Sequence, residues 1–447
     1  MKKIKVLHLA PHVGAGIGTV VFPFLRQFKG DSKYSSSLCI LGYADERAIE
    51  AQKEIGFYLK DRLSENHDAL LKEIKAADIV LIHWWNHPLL SDFLIRRSLP
   101  PSRIVIWCHI SGTLAPNNLT DKILNYPDLF VFTTPLSYDV DEALSLPGNK
   151  KSILRDIWST AGVEHLKKIK KKKHESFHVG YIGNVGHGKM HPDFLSISKK
   201  IKVPNIRFTV IGGHNNKKME QEAKDLGVGG KFNFTGFVSE SEKWELLSTF
   251  DVFGYPLSSD HYGSCDQVLQ EAMVVGAVPV VLANPMESLI VKDGVTGIVA
   301  KNTSDYVKAV EQLHRNSNLR KKLAISARKH ALRRFSLKRM VKDWGKVFAE
   351  LLSKPKTTRE WNLDQPKNKI APVDVFVESL GNHSKPFVAY LNARTKKEKN
   401  LAITKIKKLA KLSNWQSETK STVHNFNSFL KGDKYLSEWS RIMRGIK

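Results

Sequence analysis

The sequence predicts an α/β protein with two Rossmann-like, doubly wound domains that face a central cleft, followed by a basic helical tail. Strand and helix patterns alternate along residues 4–133 and again along residues 177–255. Each series opens with a buried strand that runs into a glycine-rich loop. Repeated βαβ units form parallel sheets, and a parallel sheet binds ligands at the carboxyl ends of its strands. We therefore expect the functional residues in the loops that follow the strands.

Length and charge limit the class of protein. The chain has 447 residues, 42% of them apolar, which is enough for two medium domains and an appendage. Its 70 Lys and Arg against 44 Asp and Glu give a net charge of +26, which indicates an anionic partner such as a nucleotide, a lipid-linked phosphate, an anionic membrane or nucleic acid. Cys39, Cys108 and Cys265 are far apart and odd in number, so neither a disulfide framework nor a zinc site is predicted.

The N-terminus and the hydropathy pattern predict a cytoplasmic protein. Two lysines precede an apolar run that is too short for a secretory signal. No stretch of the sequence reaches 18 apolar residues, so a membrane-spanning helix is not expected. Any contact with the inner face of the cell membrane is expected to be peripheral.

The first domain is predicted over residues 1–165. Its first strand, Ile4 to Ala10, leads into a glycine loop at residues 11–19 and a helix toward Phe28. Further strands are predicted at 38–41, 79–83, 104–109 and 129–133, with helices at 61–76 and after Pro88. Three strand ends carry polar or aromatic groups: His83 with Trp84, Trp85 and Asn86; His109 with Ser111 and Gly112; and Thr133 with Thr134. These strand ends predict the position of the cleft.

A lysine-rich linker at residues 166–175 is predicted to separate this domain from the second one, residues 176–336. The second domain repeats the pattern, with strands at 178–182, 207–211, 232–234 and 252–255. A closing helix is predicted at 337–352, followed by a basic extension at 353–447. In that extension the apolar residues of a basic helix at 396–411 either lie on a membrane or pack on the core.

One stretch of the second domain, residues 260–300, carries the clearest chemical pattern. A loop containing Gly263 precedes a helix predicted from about Asp266 to Val275, which ends at Gly276. A helix start beside a loop of small residues suits an anion such as a phosphate. Glu271, one turn into the helix, is well placed to accept hydrogen bonds from two hydroxyls of a ribose or hexose. The stretch therefore predicts a nucleotide-sugar site.

The same stretch resembles the donor-site signature of glycosyltransferase family 4, a group of retaining enzymes with the GT-B fold. The resemblance rests on these residues: Gln270-Glu271-Ala272-Met273, Gly276, Pro279-Val280-Val281, Glu287 and Asp293-Gly294-Val295-Thr296-Gly297. Many members carry two glutamates separated by seven residues, and the second falls on Glu271. The first falls on Gly263, so this chain departs from the common form. The nearest acid is Asp266, and we interpret the segment as a variant with Tyr262-Gly263-Ser264 and Asp266-Gln267.

The resemblance implies a set of site residues. For donor binding it implies Gly14, Gly16, Gly18, Asn184, Phe237, Val238, Tyr262, Gly263, Ser264, Asp266 and Glu271. As catalytic residues it implies Lys189, His109 and Glu271, with Lys189 neutralising the departing diphosphate and His109 hydrogen-bonding the donor sugar. The arginine that usually accompanies the lysine falls on Asn184, and Lys292 is a candidate to replace it. His83 is the alternative to His109, and close packing is the alternative role for the three glycines of the first loop.

The resemblance also implies that no metal and no cofactor is required. Asp139 and Asp141 match a metal-binding Asp-x-Asp pattern, but they are predicted to lie in the first turn of a helix, where the helix dipole favours acids. The predicted activity is a retaining transfer of sugar from a nucleoside diphosphate sugar to a saccharide or lipid-linked acceptor, in bacterial surface polysaccharide assembly. The alternatives are a nucleotide-sugar epimerase of the same fold and a nucleic-acid-binding protein. The second is disfavoured because the charge is concentrated in the linker and tail, so nucleic acid is not an expected partner.

Overall fold

The chain forms two compact units in a computed structural model that describes residues 3–186, 189–213, 215–261, 263–363 and 365–445. The first unit combines residues 1–157 with 341–447, and the second unit holds residues 158–340. The lysine-rich stretch therefore belongs to the second unit, where Leu166 is buried and the Lys172 amide donates to the Ser248 carbonyl. The C-terminal extension belongs to the first unit.

The first part of the first unit is a parallel sheet flanked by helices. The strands of the parallel sheet are β1 (Ile4–Ala10), β2 (Tyr34–Ile40), β3 (Tyr58–Lys60), β4 (Ile79–Trp84), β6 (Ile104–Cys108), β9 (Leu129–Phe132) and β10 (Leu154–Asp156). Three short strands lie outside that sheet: β5 (Leu99–Ser102), β7 (Thr113–Leu114) and β8 (Asn117–Asn118), of which β7 and β8 pair with each other in the antiparallel direction. The helices are α1 (Ala15–Arg26), α2 (Glu46–Ile55), α3 (His67–Ala76), α4 (Pro88–Arg96), α5 (Asp121–Asn125), α6 (Asp141–Leu144) and α7 (Gly148–Lys151). The sheet order is β10-β9-β6-β4-β1-β2-β3, and the direction of winding reverses between β1 and β4.

The glycine loop after β1 is shorter than predicted. Helix α1 begins at Ala15, so Gly16 and Gly18 lie in its first turn and only Gly14 precedes it. Helix α2 was missed because it carries few apolar residues, although Asp45 caps its start and Gly56 ends it in the left-handed conformation.

The second unit repeats the architecture with six parallel strands. They are β11 (His178–Ile182), β12 (Arg207–Ile211), β13 (Phe232–Gly236), β14 (Val252–Tyr255), β15 (Val278–Leu282) and β16 (Ile298–Ala300). The helices are α8 (Phe194–Lys200), α9 (Asn216–Asp225), α10 (Glu240–Leu247), α11 (Gln267–Val275), α12 (Pro285–Ile290), α13 (Thr303–Arg315) and α14 (Ser317–Arg334). The order β13-β12-β11-β14-β15-β16 is that of a doubly wound nucleotide-binding sheet, with its switch point between β11 and β14.

The C-terminal extension returns to the first unit and adds a helical layer. It follows α15 (Leu337–Leu352) and consists of β17 (Thr357–Arg359), α16 (Pro372–Leu380), α17 (Lys385–Leu391), α18 (Lys396–Leu409), α19 (Val423–Phe429) and α20 (Lys434–Met443). Strand β17 pairs with β5 in the antiparallel direction. Phe376, Phe387 and Trp439 of this layer are buried in the same hydrophobic core as β4 and β6.

Helix α18, the predicted basic amphipathic helix, uses its apolar face for packing. Ala402 and Ile406 are buried in the core of the first unit, and Ile403 and Leu409 pack against it. Leu401, by contrast, is 58% exposed. Of the two alternatives for these residues, packing therefore accounts for most of the face. Among the described residues, no helix has the length and hydropathy to cross a bilayer.

His87 gives the first unit a predicted sensitivity to acid. Its Nδ1 accepts a hydrogen bond from the Leu89 amide at the start of α4, and burial together with the nearby His12 lowers its pKa to about 3. Below pH 6.5 the unfolded chain takes up a proton at this site and the folded chain does not, so stability falls with pH down to about 3. At pH 5 the low pKa of His87 should therefore lower the free energy of unfolding by about 2 kcal/mol relative to its value above pH 6.5.

The variant His87→Asn keeps a capping acceptor and removes the titrating ring. We expect its free energy of unfolding in urea to fall by about 2 kcal/mol less than that of the wild type between pH 7 and pH 5. Lost packing against Phe429 affects both pH values equally and cancels in this difference. Equal pH dependence in the two proteins would contradict the prediction.

Candidate functional site

Several candidate residues of the second unit lie at one edge of its sheet. The loops after β11, β13 and β14 leave the carboxyl edge of parallel strands. These loops carry Asn184 and Lys189, then Phe237 and Val238, then the segment that leads to Asp266. The first and last of them flank the switch point between β11 and β14, where doubly wound sheets bind their ligands.

The loop after β11 is held close to the sheet by backbone contacts. The Tyr181 hydroxyl donates to the Asn184 carbonyl at 2.9 Å, and the Lys189 amide donates to the Gly186 carbonyl at 3.1 Å. Gly212 must lack a side chain, because a Cβ there would lie 1.8 Å from the Gly183 carbonyl oxygen. The backbone at Asn184 and at Lys189 is therefore held by hydrogen bonds.

Lys189 reaches the start of helix α11. Its Nζ lies 3.3 Å from Oδ1 of Asp266, which also accepts a hydrogen bond of 3.2 Å from the Tyr255 hydroxyl. The ammonium lies 5.4 Å from the centre of the Tyr255 ring, a cation–π contact. The Lys189 side chain remains 21% exposed, so it can meet a ligand.

Asp266 differs from the predicted first-turn acid. It precedes the helix with a positive φ of 30°, and its side chain makes no capping hydrogen bond but turns to Lys189 and Tyr255. Burial by itself would raise the pKa of Asp266, but the ammonium of Lys189, the neighbouring His261 ring and the hydrogen bonds from Glu287 and Lys189 outweigh it and lower that pKa. The carboxylate of Asp266 therefore stays ionised.

His261 and Glu287 complete this buried cluster. The Gly263 amide donates to Nδ1 of His261 at 3.0 Å, so the ring proton is on Nε2, which donates to Glu287 at 3.0 Å. Burial and the charge of Asp266 raise the pKa of Glu287. A Cβ at position 263 would lie 3.0 Å from both His261 and Asp266, so these two side chains take the room that a glutamate at this position would need. The sequence indicates His261 only as a loop residue, because its partner Glu287 is 26 positions away.

The same cluster has the geometry of a cation site. Among the described residues, ligand atoms of His261, Asp266 and Glu287 all lie within 4.8 Å of one another. The ammonium of Lys189 already supplies a positive charge beside Asp266. A divalent ion there would meet repulsion from that ammonium.

Glu271 has a partner that the sequence did not indicate. Lys243 of α10 donates to Oε1 of Glu271 at 3.1 Å and also pairs with Glu240. Burial raises the pKa of Glu271 and the charge of Lys243 opposes that effect. The side chain of Gln270, next to it, donates to the carbonyls of Ser159 and Cys265 at 3.1 Å each. This residue of the signature therefore links helix α11 to the backbone at Ser159 and Cys265.

Two residues implied for the nucleobase follow β13. The ring of Phe237 is 74% exposed and lies over Gly213, where a Cβ would approach it to 2.0 Å. Val238 is half-buried beside it, and Ser264 is half-buried in the loop before α11. Tyr262 lies outside the described residues.

Lys292 does not replace the missing arginine in this structure. The connection from α12 to β16 returns the chain to the amino edge of the sheet, because β15 and β16 are parallel. There Gly297 packs on Pro279 near the start of β15. Lys292 lies in this turn, where its amide donates to the Thr296 hydroxyl at 2.8 Å, at the edge opposite Lys189. The Asp293–Gly297 part of the signature is therefore structural.

The candidates in the first unit lie around β1, β4 and β6. The sequence offers His83 and His109 as alternatives, and in the structure Nδ1 of His83 lies 2.9 Å from Nε2 of His109, so the two rings are hydrogen-bonded to each other. Trp84 is buried in the core, and Trp85 meets the His109 ring edge-on at 6.2 Å.

The three glycines of the first loop have different constraints. A Cβ at Gly18 would lie 2.4 Å from the Val13 carbonyl, so packing requires a glycine there. Gly16 has open space, and a Cβ at Gly14 would lie 3.2 Å from Asp45. Only Gly18 therefore needs the packing explanation.

The second unit matches a known protein family in sequence. Residues 163–330 match the family model described as Glycosyl transferases group 1. Over 103 residues the chain is 28% identical to 2-deoxystreptamine N-acetyl-D-glucosaminyltransferase of Streptomyces fradiae, a match that covers 22% of this chain and 24% of that relative. The chain thus aligns with about a quarter of the length of this relative.

Solved structures of glycosyltransferases share the fold. The crystal structure of Anabaena HepE in complex with UDP and glucose has a TM-score of 0.61 and 14% identity, and the likeness covers 78% of this chain and 100% of that one. The apo form of the lipopolysaccharide outer core galactosyltransferase WaaB has a TM-score of 0.60 and 14% identity over the same shares. The predicted fold class, α/β with parallel sheets in two Rossmann-like halves, is confirmed, and these structural neighbours have the GT-B fold.

Proposed function

We propose that this chain is a glycosyltransferase that takes a sugar from a nucleoside diphosphate donor. The observation that carries the proposal is the pair of Lys189 and Asp266 at the start of α11, at the switch point of the second sheet. An ammonium beside a helix start suits a diphosphate, and the buried carboxylate of Glu271 one turn further suits ribose hydroxyls. The matched family model spans all three residues, and a structural relative was solved with UDP and glucose.

Lys189 is assigned to the leaving group. Negative charge grows on the diphosphate as its bond to the sugar breaks, and a positioned ammonium stabilises that charge. Asp266 and Tyr255 hold Lys189 at the helix start beforehand. The acceptor hydroxyl attacks from the side on which the diphosphate leaves and gives its proton to that diphosphate. The sugar keeps its configuration, as in glycosyltransferase family 4, and no protein nucleophile is used.

The other candidates are assigned to donor binding. Glu271 accepts hydrogen bonds from the ribose hydroxyls, and Phe237 with Val238 flanks the nucleobase. His109 donates a hydrogen bond to a hydroxyl of the donor sugar. Asn184, Gly263 and Ser264 line the diphosphate through the loops after β11 and β14. In the first unit, Gly14 and Gly16 leave room for the donor at the start of α1.

The proposed reaction needs no metal, because Lys189 takes the place of a cation at the diphosphate. We expect transfer activity to survive dialysis against EDTA, measured as release of nucleoside diphosphate. The control is the same assay with added Mg²⁺ or Mn²⁺. Loss of activity on dialysis, with recovery on adding either ion, would contradict the prediction and point to His261, Asp266 and Glu287 as ligands.

The acceptor is proposed to be a saccharide or a lipid-linked saccharide of bacterial surface polysaccharide assembly, reached in the cytoplasm at the inner face of the membrane. The solved relative WaaB is named as a lipopolysaccharide outer core galactosyltransferase, which supports this proposal. Exposed lysines on α18, including Lys405 and Lys408, provide a surface for peripheral contact with anionic lipid.

Membrane contact of this kind predicts flotation with anionic vesicles at low salt. The variant with Lys405→Glu and Lys408→Glu should float less, since each lysine contributes about 1 kcal/mol near an anionic surface. The Lys217→Glu variant on the second unit is the control and should float like the wild type. The membrane contact is refuted if the wild type does not float with anionic vesicles at low salt. It is also refuted if the α18 variant floats as well as the wild type.

The function itself is tested with UDP-, GDP- and TDP-sugars and a panel of saccharide acceptors. Calorimetry should detect binding of one nucleoside diphosphate, and mass analysis should find a product heavier than the acceptor by one sugar. Formation of an epimerised donor without any acceptor, or absence of binding to every nucleotide, would overturn the proposal.

A further inference from the structure

Helix α14 of the second unit carries only positive charge. Its 18 residues, Ser317–Arg334, contain seven Lys or Arg and no acid, whereas the whole chain has 44 acids for 70 basic residues. The helix is buried along one side, at Leu323, Ala327 and Ala331. The cations therefore occupy the rest of its circumference, and their surroundings decide what they can bind.

The second unit itself holds three arginines of this helix: Arg320, Arg328 and Arg334. The first forms an ion pair of 3.4 Å with Asp251. The second donates to the carbonyl of Val274 at 2.5 Å and to that of Lys167 at 2.6 Å. The third lies over the ring of Trp158, 5.0 Å from its centre. These three side chains are accounted for by the fold.

The other four cations of the helix are exposed to solvent. They are Lys321, Lys322, Lys329 and Arg333, and within the described ranges none of the four has an ion-pair partner. Ile325 lies among them and is 70% exposed. Residues three and four apart are neighbours on a helix surface, so the three lysines surround Ile325. We call these five residues the α14 face.

The α14 face suits an extended anionic surface. From Lys321 to Arg333 the helix rises by about 18 Å, at about 1.5 Å per residue. Cations spread over that length cannot meet on one phosphate, but each of them can meet a separate headgroup of a lipid surface. Ile325 adds an apolar group that can enter the boundary between headgroups and acyl chains. A nucleic acid also offers rows of phosphates, but it has no apolar layer beneath them for this side chain.

We propose that the α14 face binds the second unit to an anionic lipid surface, with its cations at the headgroups and Ile325 below them. The lysines of α18, for which a lipid contact is proposed above, belong to the first unit, so the two contacts are separate surfaces. The α14 face does not include the donor site. The inference therefore holds whether or not the chain transfers a sugar.

The test is binding of the full chain to vesicles of equal parts phosphatidylglycerol and phosphatidylcholine at low salt. Every protein compared carries Lys405→Glu and Lys408→Glu, so that the contribution of α18 is weakened equally in all of them. This parent protein should bind these vesicles, should not bind pure phosphatidylcholine, and should be released as salt rises. Adding Lys321→Gln, Lys322→Gln and Lys329→Gln should lower its partition coefficient about 100-fold, at about fivefold for each lysine.

Ile325→Gln distinguishes a lipid surface from other polyanions. The substitution changes no charge, and it should lower the partition coefficient about tenfold because an apolar side chain no longer enters the lipid. Binding to heparin, a polyanion without an apolar layer, should not change.

The matched control is Lys217→Gln with Lys218→Gln and Lys224→Gln, which removes the same charge from exposed positions of α9 in the second unit. This control should bind vesicles like the parent. The proposal is overturned if the parent does not bind the anionic vesicles, or if the α14 lysine variant binds as well as the α9 control.

Two further measurements complete the test. If the α14 lysine variant loses binding while Ile325→Gln binds like the parent, the face binds polyanions in general and the lipid contact is overturned. Thermal unfolding shows whether each variant is folded, which is expected because every substituted side chain is exposed. Calorimetry with nucleoside diphosphates should give the same affinity for all variants, so failure of the proposed donor binding is seen separately from failure of the lipid contact.

Discussion

Replacing Lys189 with alanine is expected to lower the turnover number by about 100- to 1,000-fold, the loss seen when one group that stabilises developing charge is removed. Lys189 lies 3.3 Å from Asp266 at the start of α11 and is the cation of the expected pair that this chain retains, since Asn184 stands at the arginine position. Charge on the diphosphate is larger in the transition state than in the bound donor. The turnover number should therefore fall more than the affinity for the donor.

Two variants frame this measurement. Lys189→Arg retains a positive charge beside Asp266 and should retain more activity than Lys189→Ala. Lys292→Ala removes an exposed lysine at the opposite edge of the sheet and should behave like the wild type. Steady-state kinetics of nucleoside diphosphate release, with donor affinity from calorimetry, gives both quantities. Equal loss in turnover and affinity would limit Lys189 to ground-state binding, and an unchanged turnover would remove it from the site.

Replacing Glu271 with alanine is expected to weaken donor binding by roughly 1.5 to 3 kcal/mol and to abolish measurable transfer at ordinary donor concentrations. The carboxylate is buried and accepts from Lys243 at 3.1 Å, so its removal deletes a charged acceptor for the ribose. Among the described residues, it also leaves the more exposed Glu240 as the remaining carboxylate paired with the Lys243 ammonium.

The pairing with Lys243 calls for a control that separates binding from stability. Glu240→Ala removes the other partner of Lys243 and should leave donor affinity unchanged. Thermal denaturation of each variant reports the stability, and calorimetry with the nucleoside diphosphate reports the affinity. If Glu271→Ala melts earlier but binds the donor as the wild type does, Glu271 serves only the packing of α10 on α11.

Periodicity and turn chemistry determined much of the fold from the sequence. Strand β11, strand β14 and the end of α11 at Gly276 follow from local patterns, because a buried parallel strand is an apolar run and a glycine ends a helix. Helix α2 was not predicted by periodicity, because only a narrow face of it is apolar. The series of βαβ units also predicted at which edge of each sheet the candidate residues lie, since parallel strands end together.

Only the tertiary structure decided which side chains meet. Lys189 and Asp266 are 77 positions apart, Lys243 and Glu271 are 28 apart, and His8 and His83 are 75 apart, so no local pattern pairs them. The placement of Lys292 away from Lys189 and the packing of Ile406 in the core of the first unit follow the same rule. The sequence by itself determined the elements and the family-like motif, because these depend on neighbours along the chain. The partners of each charge and each ring nitrogen were decided by the packing of strands and helices that are distant in sequence.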